Sequence, residues 1–208
     1  MYVPNHFKED SVETLQQHIR AYPFGLLVIA DDAGIEANHV PFYLDIDEEG
    51  SLGTLQCHLA RSNLVWQRIE KSRFVLAVFQ GPNAYVSPSW YPSKAETGRV
   101  VPTWNYLAVH VAGSAKVVQD AVWLKEHLRQ LTNQHETERA QPWAVEDAPA
   151  DYTEALMRGI VGIEIKIEKL IGKLKASQNQ PDRNQHGVKV GLQSEPGFCA
   201  AVMAELMG

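Results

Sequence analysis

The stretch 79–113 most constrains the fold of this chain, because it combines two extended segments with an intervening loop that is rich in aromatic residues. An apolar run at its start is expected to end at Gly81 and Pro82, after which residues 84–86 resume an extended pattern. A loop rich in Ser, Pro and Gly follows, and apolar residues alternate again over 103–112. The stretch therefore predicts a strand, a loop and a long strand.

Four aromatic residues of this stretch, Trp90, Tyr91, Trp104 and Tyr106, are flat and amphipathic. Such side chains can stack on a planar ligand while nearby hydroxyl and amide groups hold its polar edge. The polar neighbours are Ser87, Ser89, Thr103, Asn105 and His110. The alternative is that the aromatic residues belong to the hydrophobic core and that the loop only connects two strands.

The chain before this stretch predicts two helices and an antiparallel meander. Asp10 is expected to begin the first helix, since Glu13 follows it at capping-box spacing. The second helix is predicted within 59–71, with Asn63 as its cap. The predicted strands are 25–30, 35–45, 51–58 and 73–80, and the turns between the first three are 31–34 and 47–50.

The chain after this stretch predicts three helices and one strand. Asp120 is expected to cap the most strongly periodic helix. The C-terminal helix is predicted to bury Phe198, Val202 and Leu206, which repeat at four-residue spacing. The remaining elements are a helix over 151–158, a strand over 160–170 with one buried face, and a loop over 172–179.

Several strands at hairpin-like spacing, interleaved with a few helices, favour an α+β fold built on a small antiparallel barrel. The sequence shows no internal repeat, linker or low-complexity tract, so a single domain over 1–208 is expected. The interior of a small barrel is narrow. A ligand larger than one or two side chains is therefore expected outside the barrel or between two subunits.

Composition excludes some classes of function. The net charge of −6 and the pI near 5.7 disfavour a surface that neutralises a long DNA duplex. Cys57 and Cys199 are far apart in sequence and are expected to be reduced thiols. No apolar run reaches the roughly 20 residues of a membrane span, and the N-terminus lacks an apolar signal core, so a cytoplasmic protein is expected.

The usual catalytic signatures are missing from the sequence. Neither a Gly-x-Gly-x-x-Gly turn, a P-loop, a His-Glu-x-x-His pair nor a Gly-x-Ser-x-Gly elbow is present. The eight His residues are scattered, so a metal site would have to be assembled from distant positions. No catalytic residue is predicted.

Two clusters of polar residues could bind an anion. His58, Arg61, Ser62 and Asn63 lie where a strand is expected to pass into a helix, which suits a phosphate. The alternative is an ordinary helix cap. The second cluster lies in the predicted loop 172–179, and its alternative is a solvated surface loop.

Several dispersed motifs together resemble the PaiB-type FMN-binding transcriptional regulators. The motifs are residues 1–7, 58–63, 79–91, 101–106 with Val109 and His110, and 173–179, and the likeness extends to about Leu192. Two positions depart from the family pattern: Ala176 stands where Leu is usual, and Cys57 stands where Gly commonly precedes the His.

The resemblance implies a split β-barrel with flanking helices, assembled as a homodimer with FMN in a cleft between subunits. It also implies a negative transcriptional regulator, in bacilli of protease production and sporulation, although the acidic charge gives no support to direct DNA contact. A role as a flavin-dependent sensor is expected. The cofactor-binding residues that it implies are His58, Arg61, Ser62, Asn63, Trp104, Asn105, Lys175, Ser177, Gln178 and Asn179.

Two other functions remain open for such a barrel. One is a flavin-dependent oxidoreductase of a small substrate, which rests on fold analogy alone. The other is a haem-binding protein, which would require an axial ligand such as His110 or His186.

Overall fold

The structure is a computed structural model, and it describes residues 1–46 and 51–207. The predicted turn at 47–50 lies outside the described residues. The helices are α1 (Val12–Ala21), α2 (Val65–Ser72), α3 (Ser93–Thr97), α4 (Ala121–Glu136), α5 (Ala150–Met157), α6 (Asp182–Ser194) and α7 (Phe198–Glu205). The strands are β1 (Lys8–Glu9), β2 (Phe24–Asp31), β3 (Gly34–Pro41), β4 (Tyr43–Asp45), β5 (Thr54–Ala60), β6 (Phe74–Val86), β7 (Thr103–Val118) and β8 (Ile160–Lys175).

The strands form one eight-stranded sheet in the order β3-β2-β6-β7-β8-β5-β4, and β1 pairs with β8. The pairs β1–β8, β2–β3, β2–β6, β4–β5 and β5–β8 are antiparallel. Helices occur between strands and after the last one without regular alternation. The predicted α+β fold class with an antiparallel sheet and flanking helices is confirmed.

The chain forms two compact units. Unit 1 contains Met1–Leu15, Gln80–Val109 and the residues from Ile171 onward. Unit 2 contains Gln16–Phe79 and His110–Leu170. Since β6, β7 and β8 each contribute residues to both units, the single domain expected over 1–208 stays a prediction.

Three strand predictions were wrong in their boundaries. β6 continues through Gly81 and Pro82, and a Cβ at position 81 would lie 2.7 Å from the Leu107 side chain. Gly81 therefore allows close approach of a neighbouring strand and does not end its own. β8 extends to Lys175, so 172–175 are strand and not loop. The predicted strand 35–45 is divided at Phe42, whose N–H donates to the Pro23 carbonyl 2.9 Å away.

The helix predictions were correct for α4 and, within one residue, for α5 (Ala150–Met157), and they were partly wrong elsewhere. Asp120 Oδ1 accepts the Trp123 N–H at 2.8 Å, which confirms the predicted cap. Helix α1 is capped by Ser11 and not by Asp10, because Ser11 Oγ accepts the Thr14 N–H at 3.2 Å. Helix α6 was not predicted. In α7 the buried face consists of Ala200, Met203 and Ala204, whereas Phe198 is 77% exposed.

The core of unit 1 contains part of the aromatic stretch. Tyr91 is buried among Val86, Val188 and Leu192, and Trp90 packs against the same cluster. A Cβ at Gly191 of α6 would lie 2.2 Å from the Trp90 ring, so α6 approaches this ring closely. For Trp90 and Tyr91 the alternative interpretation, core packing, is therefore correct.

The core of unit 2 includes a buried contact between two histidines. His58 Nδ1 on β5 lies 3.1 Å from His127 Nε2 on α4, and the His127 ring stacks on Trp123. Trp123 covers Gly162 of β8, where a Cβ would lie 2.2 Å from the indole, and its Nε1–H donates to Glu164. Among the described residues, His127 Nδ1 is buried without a hydrogen-bond partner.

This environment disfavours protonation of both rings. Burial lowers the pKa of His127 to about 3, and the neighbouring His58 contributes a smaller lowering. Burial also lowers the pKa of His58. Two neutral imidazoles can share one hydrogen bond, whereas two imidazolium ions at this distance would repel each other.

We expect the free energy of unfolding to decrease as the pH falls from about 6.5 towards 3, because the unfolded chain protonates His127 and the folded chain does not. The contribution of this one group is on the order of 3–5 kcal/mol at the acid end. Urea unfolding at a series of pH values measures it. The comparison is between the wild type and His127→Gln, which should have a flatter pH dependence.

His135→Gln is the control, because His135 is exposed near the end of the same helix. This variant should keep the pH dependence of the wild type. An unchanged pH dependence in His127→Gln would show that the buried contact does not contribute to acid sensitivity.

Candidate functional site

The predicted cofactor-binding residues fall into two groups, one in each compact unit. The arginine group of unit 2 consists of His58, Arg61, Ser62 and Asn63. The lysine group of unit 1 consists of Trp104, Asn105, Lys175, Ser177, Gln178 and Asn179. The structure brings the members of each group together locally.

In the arginine group, the Arg61 side chain links the end of β5 to the turn after α5 through hydrogen bonds. Its Nε donates to the Arg158 carbonyl at 2.9 Å, and Nη2 donates to the Ile160 carbonyl at 3.1 Å. Nη1 donates to Gln119 Oε1 at 2.7 Å. A guanidinium carries five N–H donors, so Arg61 retains capacity to bind an anion although part of its role is structural.

The neighbours of Arg61 differ in what they can still bind. Asn63 Oδ1 accepts the Val65 N–H at the start of α2, and its Nδ2 donates to Asn38 at 2.7 Å. The N-cap position of α2 is Leu64 and not the predicted Asn63, which lies one residue earlier, and the two bonds occupy most of the Asn63 amide. Ser62 is exposed in the turn beside it. The His58 ring faces His127, so one ring nitrogen is already engaged.

A cavity of about 1050 Å³ adjoins Arg61 in unit 2. It is lined by residues of α4 and α5 and by the segment before α5, and it includes Lys125, Arg129 and Arg158. Glu146 also lines it and is bound to Arg129, and this contact lowers the pKa of the Glu146 carboxyl. The charges of the lining are mixed, and Arg61 is the one member of the arginine group among the described lining residues.

In the lysine group, Lys175 is the best placed cation. Its Nζ donates to Thr103 Oγ1 and to the Trp104 carbonyl of β7, and it lies 5.8 Å from the centre of the Phe7 ring. Burial lowers the pKa of Lys175, and the charge of Lys173 lowers it further. Burial therefore makes the charged form of Lys175 more costly than at the surface.

Asn105 and Ser177 form a buried polar pair. Asn105 is fully buried and Ser177 is 3% exposed. Asn105 Nδ2 lies 3.0 Å from Ser177 Oγ, and Ser177 Oγ lies 3.2 Å from Asn105 Oδ1. Ser177 has a φ of 63°, a left-handed conformation that is uncommon for non-glycine residues. The pair therefore fixes the turn that follows β8.

Gln178 stabilises the same turn, and Asn179 follows it. Gln178 Oε1 accepts the Ala176 N–H at 2.7 Å, and its Nε2 donates to the Leu174 carbonyl at 2.7 Å. Ala176 is buried in the core of unit 1, so the smaller side chain at this position packs and does not face a ligand. Asn179 is exposed.

Trp104 is 53% exposed and faces a cavity of about 540 Å³ in unit 1. Tyr85 lies edge-on to it with ring centres 6.2 Å apart, and Trp90 lines the same cavity. Trp104 and Tyr85 are therefore the aromatic surfaces of the stretch 79–113 that remain available for stacking here.

Sequence reasoning placed Lys173 in the anion-binding cluster 172–179 and Tyr2 in the motif 1–7, but it did not predict either one as a cofactor-binding residue. Lys173 is 9% exposed, its Nζ donates to the Tyr2 carbonyl, and it lies 5.2 Å from the centre of the Tyr106 ring. The available signal was the two-residue spacing of Lys173 and Lys175, which places both side chains on one face of a strand. The prediction of a loop at 172–179 concealed this spacing.

Within 1–46 and 51–207, no three His, Cys, Asp or Glu side chains are grouped as metal ligands. Cys57 is fully buried, and burial raises the pKa of its thiol. None of the helices in the described part of the chain is long and apolar enough to cross a membrane.

The chain is similar to proteins of one flavin-related family. The family described as "Putative FMN-binding domain" matches residues 1–169. A Bacillus subtilis protein named "Protease synthase and sporulation protein PAI 2" is 33% identical over 207 residues, which covers 100% of this chain and 96% of that protein. An uncharacterized protein of Emericella nidulans is 36% identical over 238 residues, with 97% and 95% covered.

Solved structures share the fold at low identity. The flavocytochrome Anf3 of Azotobacter vinelandii has a TM-score of 0.60 at 13% identity, with 89% of this chain and 78% of that chain covered. A FAD and heme binding protein of Mycobacterium smegmatis has a TM-score of 0.59 at 15% identity, with 88% and 80% covered. At such identities the similarity shows the fold alone.

The family match and the full-length relative agree with the motifs of the sequence, and FMN is the cofactor named by the family. Together they show that this chain belongs to the family described as "Putative FMN-binding domain" and is a full-length relative of PAI 2 of Bacillus subtilis.

Proposed function

We propose that this protein is an FMN-dependent regulator that acts as a homodimer and binds the cofactor between subunits, with Arg61 of one subunit and Lys175 of the partner subunit holding it. The observation that carries the proposal is Lys175, a partly buried cation with no carboxylate within 4 Å among the described residues. Such a cation suits a ligand that brings negative charge.

The residues present are chemically suited to FMN. The cofactor requires donors for its phosphate, an aromatic or apolar bed for its ring system and polar groups for the pyrimidine edge. Arg61 and Ser62 offer donors, Trp104 offers an exposed aromatic face, and Lys175 offers a cation. The flavin itself would supply reversible electron transfer, which suits a redox sensor.

Several predicted residues support the site more than they would contact the cofactor. Asn105, Ser177 and Gln178 bond to one another or to nearby backbone, and they hold the turn after β8 in its left-handed conformation. Asn63 similarly holds the start of α2. We propose positioning roles for these four residues and direct contact for Arg61, Ser62, Trp104, Lys175 and Asn179. His58 is proposed to support the arginine group through its contact with His127.

The regulatory role rests on the relative from Bacillus subtilis, whose name refers to protease synthesis and sporulation. The net charge of −6 favours an indirect route to transcription, such as a protein partner or a redox signal. Absorption spectra of the purified protein would separate flavin, haem and an empty site. Reduction of bound flavin by NADPH with turnover of a small substrate would favour an oxidoreductase.

Titration with FMN should quench flavin fluorescence with micromolar or tighter affinity. Arg61→Ala should weaken binding by about 1.5–3 kcal/mol, the range for losing a hydrogen bond to a charged group. Arg139→Ala is the control, because Arg139 is an exposed arginine distant in sequence from both groups. Circular dichroism checks that Arg61→Ala remains folded, since Arg61 also binds backbone carbonyls.

Absence of quenching in the wild type would contradict the cofactor role. An Arg61→Ala variant that folds and binds FMN like the wild type would leave Arg61 with a structural role only.

DNA binding should be weak for random duplex at physiological salt, because an acidic chain can bind phosphates only through a local basic patch. Fluorescence anisotropy with a labelled duplex at several salt concentrations measures this. Tight and salt-sensitive binding to arbitrary sequence would contradict an indirect role.

The homodimer should be visible in solution. Light scattering coupled to size-exclusion chromatography should give about twice the chain mass of 23.3 kDa when FMN is bound. A flavin-loaded monomer would contradict the proposed assembly.

A further inference from the structure

Two lysines of β8, Lys173 and Lys175, place their ammonium groups inside unit 1 without a compensating carboxylate. Lys173 is 9% exposed and Lys175 is partly buried. Within the described residues, the ion pairs involve neither of these lysines. Lys8, the strand partner of Lys173, is another cation, and its ammonium is bound to Asp10. Glu9, the strand partner of Gly172, accepts the Ser11 N–H at 2.8 Å and, in the described part of the chain, is in no ion pair with either lysine.

The partners of the two ammonium groups are neutral. Lys173 Nζ donates to the Tyr2 carbonyl at 3.3 Å and lies 5.9 Å and 5.2 Å from the centres of the Tyr2 and Tyr106 rings. Lys175 Nζ bonds to Thr103 Oγ1 and to the Trp104 carbonyl, the latter at 2.5 Å. An ammonium has three N–H donors. Lys173 Nζ donates to one oxygen and Lys175 Nζ donates to two. Both ammonium groups therefore keep N–H donors that a ligand could use.

Burying two ammonium groups without a carboxylate lowers the stability of the folded protein. A buried charge is expensive unless it is paired, and cation–π contacts and carbonyl dipoles compensate it only in part. The two ammonium groups also oppose each other, since the charge of Lys173 lowers the pKa of Lys175 after the larger effect of burial. Proteins keep such uncompensated charge mainly at sites where function requires it.

We propose that Lys173 and Lys175 form a binding site for the phosphate group of a phosphomonoester. A phosphomonoester carries a charge between about −1.5 and −2 near neutral pH, which matches two ammonium groups. Its oxygens accept hydrogen bonds from the remaining N–H donors, and Tyr2 and Tyr106 border the site. The source is either the phosphate of the flavin or a separate phosphorylated small molecule.

The first source rests on the proposed FMN function, whereas the second does not. Arg61 was the predicted phosphate ligand, and three of its donors are engaged within the protein. The lysine pair therefore adds a second candidate for the same chemical group. Three probes distinguish the sources: FMN, riboflavin, which lacks the phosphate, and inorganic phosphate.

The experiment compares the wild type with Lys173→Met and Lys175→Met, which keep an apolar stem and remove the charge. Lys166→Met is the matched control, because Lys166 is an exposed lysine on the same strand. If the flavin phosphate binds here, each lysine variant should lose affinity for FMN by on the order of tenfold to a hundredfold and keep its affinity for riboflavin. Lys166→Met should bind both flavins like the wild type.

If a separate phosphorylated compound binds here, inorganic phosphate at low ionic strength should raise the melting temperature of the wild type by about 2–4 °C. Both lysine variants should lose this rise, and Lys166→Met should keep it. Lys173→Met should also keep the FMN affinity of the wild type, because Lys173 is not one of the proposed FMN contacts. Chloride at equal ionic strength gives the reference for a general salt effect, because it lacks the double charge and the acceptor oxygens of phosphate.

The stability of the protein without anions separates a ligand site from a structural cation. Lys173→Met should unfold at the same or a higher temperature than the wild type, because it removes an uncompensated buried charge. A lower temperature together with unchanged responses to phosphate and FMN in both lysine variants would overturn the proposal. If the wild type binds neither flavin, this result contradicts only the proposed FMN function. The phosphate measurement tests the lysine pair independently.

Discussion

The backbone pairing of β8 is the constraint on which most of the described chemistry depends. Its first half pairs with β5, and this register sets His58 opposite Gly162 and Gln56 opposite Glu164. Its last residues pair with β1, which sets Lys173 opposite Lys8. Because side chains alternate between the faces of a strand, a shift of one residue would exchange the buried and exposed sets of β8. The register therefore decides which cations become buried.

The sequence predicted those parts of the fold that local signals determine. Asp120 caps α4 through a short local hydrogen bond, and the alternation of Ile163, Ile165 and Ile167 marked a strand with one buried face. The α+β class followed from the number and spacing of such segments. The site was predicted at the level of donor clusters, since Arg, Lys and amide residues are visible in sequence.

The remaining features depend on contacts between distant residues. Gly81 and Pro82 resemble a break, but the need for glycine comes from Leu107 on another strand. Helix α6 contains Gly187 and Gly191, which lower helix propensity, and both face Trp90. Residue type alone did not show whether Arg61 and Lys175 bind other groups of the protein or a ligand. Arg61 has three protein acceptors, whereas Lys175 retains a charge that no carboxylate among the described residues compensates.

The composition of unit 1 from three separate parts of the sequence has a consequence for biosynthesis. Residues 8 and 9 are synthesised more than 160 residues before their strand partners at 172–173. Long-range pairing of this kind cannot form until the intervening chain is available, and it is slow compared with local structure. The paired segments of unit 2, such as β2 with β3 and β4 with β5, become available much earlier. The strand at residues 8–9 therefore stays unpaired until β8 has been synthesised, and its backbone N–H and C=O groups need water or another partner until then.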